Sequence, residues 1–209
     1  MLNFLIILFA ITSIYLCVAE RFRTYSRLVA IQGFLLFGIA FLELKDVSTA
    51  NLIFVVTETL IFKAIVVPVI LFRIINRIKV YKVHSQALPG FYSLIFAIFG
   101  LFLSILLANS FKDLNIDTVY MTIALFTLFI GVLLIVTHKL IFSHMIGFLI
   151  IENSVFMFSM AVGSQMPILI NIGILLDIFV SVMIISVLMN KIGSEFSDLE
   201  SESLTTLKD

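Results

Sequence analysis

Four ionisable side chains lie inside otherwise apolar stretches of this chain: Glu58, Lys63, Glu152 and Asp177. A charge at bilayer depth costs about 2.5–3.5 kcal/mol even on insertion scales, so sequences rarely carry one without a use for it. Removal from water moves a carboxyl's pKa up and an amine's down, and both shifts lead towards neutral pH, where a group accepts and releases protons. Acids and a base linked by water then make a proton relay. The alternative is packing: Glu152 and Asp177 as neutral, hydrogen-bonded interhelical contacts, and Lys63 snorkelling or paired with a carboxylate of another subunit. Gln32, Asn153, Asn171 and Ser181 read as polar groups supporting either role.

These residues must be held by membrane helices. With 62% hydrophobic and 12% charged residues and a mean hydropathy of +1.23, too few polar groups exist to cover a water-soluble domain. Thirteen Lys and Arg balance thirteen Asp and Glu, so no basic excess points to nucleic acid. The one cysteine, Cys17, lies in the first apolar run and reads as a small apolar residue, since it can form no internal disulfide and completes no metal motif. His84, His138 and His144 fall in loops or at span ends without ligand spacing and read as solvated. No phosphate-binding glycine loop, nucleophile elbow or thiol cluster is present, so no catalytic, cofactor-binding or metal-binding residue is expected.

Runs near the length that crosses a hydrocarbon core predict an all-α integral membrane protein of seven transmembrane helices. They are Leu2–Ala19, Arg27–Leu44, Ala50–Arg73, Pro89–Asn109, Thr118–Thr137, Leu140–Gly163 and Pro167–Asn190. Arg21, Arg23 and Arg27 in the first loop, Arg73, Arg77, Lys79 and Lys82 in the third and Lys139 in the fifth make the odd loops basic. Loops two and four offer only Lys45 and Lys112 among acids, so the N-terminus is expected outside and the C-terminus in the cytoplasm. The segments group as a three-helix unit (1–88), a linking helix (89–117), a second three-helix unit (118–193) and an acidic tail (194–209).

The two units align as a parallel 3+1+3 repeat. "VAIQGFLLFGIAF" lies on "LIIENSVFMFSMA", matching Gln32 to Glu152, and Glu58 then falls opposite Asp177 within one residue of the same spacing. Glu152 and Asp177 sit near mid-depth of their spans. On α-helical geometry Lys63 projects about 140° around from Glu58, making the two poor direct partners. Pro68 withholds an N–H from the carbonyl of Ala64, so a bend or water site is expected one residue after Lys63.

"HMIGFLIIENSVFMFSMAV" followed by "ILINIGILLDIFVSVMIISVLMNKI" resembles the last two helices of the complex I K-type subunit and of the C-type subunit of multisubunit cation/proton antiporters. The chain's length, its added N-terminal helices, "TETLIFKAIVVPVIL" and the ending "LTTLKD" are more similar to component E of hydrogenase-4, a subunit of formate hydrogenlyase-type complexes. The resemblance implies a non-redox membrane-arm subunit of a proton- or sodium-translocating complex in a prokaryotic cell membrane. It would hold no cofactor, and its partners would be antiporter-like and complex I H-type-like subunits and a peripheral electron-transfer module. Glu152 and Asp177 would take the parts of the K-type subunit's second- and third-helix glutamates, the second shortened by one methylene. Lys63 has no equivalent there and is similar to the buried lysines of the larger antiporter-like subunits. A stand-alone carrier or channel, and a scaffold whose buried charges only specify assembly, are the competing readings.

Overall fold

The computed structural model describes residues 1–43, 55–78, 90–111, 116–138 and 141–162, nearly all of them helical. The chain divides into two units, Met1–Ile174 and Leu175–Asp209, and every described residue belongs to the first. In order come α1 (Leu2–Val18), α2 (Phe22–Glu43), a π-helical segment (Glu58–Val66) continuing into α3 (Val67–Ile78), α4 (Gly90–Ser110), α5 (Thr118–Thr137) and α6 (Ile141–Val162). Five of these stretches are long and apolar enough to cross a membrane, and α1, at 17 residues, is a shorter apolar helix. The expected seventh span, Pro167–Asn190, lies outside the described residues, as do the loops on which the expected orientation partly rests.

The bundle turns large apolar side chains outward as well as inward. Helix α1 turns Phe4, Ile7, Ile11, Tyr15 and Val18 outward and buries Thr12, Ser13 and Cys17. Helix α4 exposes Phe91, Ile95, Phe99 and Phe102 while burying Ser93, Ala97, Gly100, Ser104 and Ala108. In water, a continuous apolar surface of this kind drives aggregation. In lipid it costs nothing, and small inward residues let helices approach closely.

The tightest pair is α5 with α6. Asp117 caps α5, its carboxylate accepting from the backbone N–H of Val119 at 2.8 Å and of Tyr120 at 3.2 Å. The Asp117 N–H in turn donates to the Ala161 carbonyl at 3.1 Å, tying the start of α5 to the end of α6 in an antiparallel hairpin. The helices cross at Gly131 and Gly147: a Cβ on either would sit 2.9 Å from the other's carbonyl oxygen. Ser154 Oγ reinforces the crossing by donating to the Ala124 carbonyl at 2.6 Å.

Two differences from the sequence reading have physical causes. Helix α2 starts at Phe22 and not at Arg27, because a charged side chain at a span end can leave the apolar layer; Arg23 Nη2 donates to Asn76 Oδ1 of α3 at 3.2 Å. The irregularity expected after Lys63 is a widened π-helical turn upstream of Pro68, with the Val67 N–H reaching back to the Phe62 carbonyl. In a π-helix, residues five apart stand about one turn apart, so the α-helical argument that separated positions 58 and 63 does not apply to this backbone.

Candidate functional site

At mid-depth the bundle holds a chain of buried polar side chains that crosses four elements. Lys63 Nζ, in the π-helical segment, donates to Asn153 Oδ1 of α6 at 3.3 Å. Asn153 Nδ2 donates to Gln32 Oε1 of α2 at 3.0 Å. Gln32 Nε2 donates to Ser13 Oγ of α1 at 3.0 Å, and Ser13 Oγ donates to the Phe9 carbonyl at 3.1 Å. Lys63 also lies over the Phe156 ring, 5.3 Å from its centroid. Phe156 is one helical turn from both Glu152 and Asn153, so the three share a sector of α6. Lys63 is 6% exposed, Glu152 5% and Gln32 0%.

Local sequence explains why these elements meet. Gln32 is the eleventh of 22 residues in α2 and Asn153 the thirteenth of 22 in α6, which puts both amides half-way along their helices. Gly33 follows Gln32, and a Cβ there would lie 2.7 Å from the Lys63 carbonyl carbon and the Ala64 nitrogen. Only glycine lets the α2 backbone touch the π-helical turn, and that contact sets the reach from Lys63 to Asn153.

Every bond in the chain has its donor on the lysine side. The amide orientations follow from this, because turning Asn153 over would aim its NH2 at the ammonium. Aligned donors polarise one another along the chain, and the Phe156 ring turns its face to the Lys63 amine. Amides neither take up nor lose a proton near neutral pH, and the chain ends on a backbone carbonyl. Ser13, Gln32 and Asn153 therefore hold the lysine and do not relay its proton.

The structure thus brings Lys63, Gln32 and Asn153 together, a grouping the sequence reading did not make, with Glu152 buried beside Asn153 on α6. Glu58 begins the π-helical segment, but its side chain lies outside the described residues, as do Asp177, Asn171 and Ser181. Sequence reasoning missed Ser13 and Phe156, although a Thr–Ser pair inside the first apolar run was a visible signal for the former. Among the described residues no group of three metal-ligating side chains converges.

The solvated reading of the histidines is overturned for His138, which is 4% exposed at the end of α5. Its Nε2 lies 3.3 Å from Tyr25 Oη of α2, and its Nδ1 lies 3.1 Å from the Leu134 carbonyl and 3.0 Å from Thr137 Oγ1. Burial pushes its pKa below the ordinary histidine value; the Leu134 carbonyl opposes that shift and the neighbouring His144 adds to it. A buried histidine at a helix end has no periodic signal, since loop and span end look alike in sequence. His84 lies outside the described residues.

Compared with family models, with curated proteins and with solved structures, the chain matches none.

Proposed function

We propose that this chain is a non-redox membrane subunit of a multisubunit proton- or sodium-translocating complex of the hydrogenase-4 and complex I type, and that Lys63 and Glu152 handle the translocated charge. The observation that carries the reading is a lysine amine held at mid-depth of an apolar bundle by an amide, with a buried carboxyl at the adjacent position of the helix that supplies that amide. An ionisable pair of types at that depth is costly, which favours a use in ion movement. Glu58 and Asp177 join the route in this proposal as the further acids of the two three-helix units. Gln32 and Asn153 serve as positioning residues, for the chemical reason that amides do not titrate. The partners would be antiporter-like and H-type-like membrane subunits and a peripheral electron-transfer module, in the cell membrane of a prokaryote with the basic loops cytoplasmic.

The test is purification of the tagged chain from its native membranes, followed by proton uptake in inverted vesicles for Glu152→Gln, Lys63→Met and the loop control Lys79→Met. Gln and Met keep approximate shape without the titrating group, so uptake should fall in the first two variants while assembly and electron transfer persist. Equal uptake in all three would remove both residues from the path, and purification without partners would dismiss the subunit reading. Full retention of uptake with weaker assembly would instead favour the scaffold.

A further inference from the structure

The far end of the bundle from the main apolar cluster carries a second group of buried polar side chains, on different residues from those that hold Lys63. The end of α5 and the start of α6 are fastened to the start of α2 there. Tyr25 Oη and His138 Nε2 lie 3.3 Å apart with rings at 85°, and Phe22 meets Phe142 edge-on at 4.6 Å between centroids. His144 of α6 donates from Nε2 to the His138 carbonyl at 2.6 Å. Cys17 of α1 lies within electrostatic reach of the Tyr25 hydroxyl and is buried. Among the described residues the titratable groups that meet the imidazole are Tyr25, by its hydroxyl, and His144, with Cys17 within electrostatic reach of Tyr25.

Hydrogen bonding fixes the resting form of His138. Nδ1 faces the Leu134 carbonyl, which can only accept, so Nδ1 carries the proton. Thr137 Oγ1 donates to the Leu133 carbonyl at 2.6 Å and so offers a lone pair to the same N–H. Nε2 is left as an acceptor, and Tyr25 donates to it. We propose that His138 is a proton-binding site of this protein at the basic end of the bundle, and that its protonation ends the donation from Tyr25 and opens the contact of α2 with the end of α5 and the start of α6. A proton added at Nε2 takes the lone pair that Tyr25 uses, so the hydroxyl must turn and accept, and it leaves a buried cation beside a second imidazole. The carbonyls at the end of α5 favour such a cation, but burial disfavours it more. Opening restores water to the ring, so acid drives it. The direction of the pKa shift agrees, with neutral His138 the closed form and binding below an ordinary histidine pH.

Cys17 supplies the reporter, since it is the only thiol and is buried within electrostatic reach of Tyr25. Purified full-length protein in detergent is treated with dithiodipyridine, which reacts with thiols in acid, at two pH values on either side of the histidine range, each rate divided by that of a free-thiol peptide. The relative rate should rise about tenfold into acid for each pH unit between the closed and open pKa values. His138→Gln keeps an acceptor for Tyr25 and a donor for Leu134 without a charge, and should stay slow at both pH values. Tyr25→Phe should be fast at both, and His144→Gln should keep the response. A wild-type rate unchanged by pH, or a His138→Gln protein that responds like wild type, overturns the proposal. If that variant fails to fold, nitrogen NMR of histidine-labelled wild type decides instead: it should show one imidazole in the Nδ1–H form that protonates below the ordinary value. Absence of that tautomer, or titration at or above the ordinary value, also overturns it.

Discussion

Replacing Gln32 and Asn153 singly and together with leucine tests whether the polar chain acts as one unit. Asn153→Leu removes two bonds, to Lys63 and to Gln32, and Gln32→Leu removes two, to Asn153 and to Ser13. The double variant removes three, because the bond between the two amides is shared. Interhelical hydrogen bonds in membrane proteins average about 0.6 kcal/mol, with a maximum near 1.7. Each single change should therefore cost about 1.2–3.4 kcal/mol, and the double about 1.8–5.1, falling short of the sum by one bond, about 0.6–1.7 kcal/mol. The Asn153 change should be the larger of the two, since it removes a bond from an ammonium and charge-assisted bonds are the stronger ones. Opening is measured by the labelling rate of Cys17, which reacts only when the bundle exposes it. Additivity of the two singles within about 0.3 kcal/mol would refute the chain, because residues in direct contact must couple.

Gly33→Ala should destabilise by about 1–3 kcal/mol and weaken the hold on Lys63, since its Cβ meets backbone at 2.7 Å, whereas Gly38→Ala meets only the flexible end of Leu5 at 3.1 Å and should be nearly neutral in the same labelling assay. Stability should depend on pH through His138: its folded pKa is lowered, so its contribution is complete above the unfolded value of about 6.5 and is lost as pH falls through the folded value. Thermal unfolding across that range should lose this acid sensitivity in His138→Gln. Removing the α5 cap with Asp117→Ala should cost about 1 kcal/mol, read by the same unfolding, with Asp117→Asn retaining most of the stability.

By itself the sequence determined the solvent and the class. An apolar run near twenty residues long has one home, so the positions of α4 and α5 were readable almost to the residue, and Gln32, Lys63, Glu152 and Asn153 announced themselves by interrupting such runs. Helical periodicity carried no more than that, because an all-apolar helix has no face that differs in kind from another, and which side meets lipid is set by size and not by polarity. The alternation of small inward and large outward residues on α4, and the Gly131–Gly147 crossing, became visible only with the neighbouring helices in place. The partner of Lys63 belonged to the same class of unknowns. Sequence offered Glu58, five residues away, and geometry set the two apart on an α-helix. The tertiary structure brings an amide ninety residues later, on another helix, against Lys63, because Gly33 lets two backbones touch at a π-helical turn whose form no local pattern encodes. His138 follows the same logic: its burial comes from the closeness of α2 to the end of α5, a contact between segments more than a hundred residues apart.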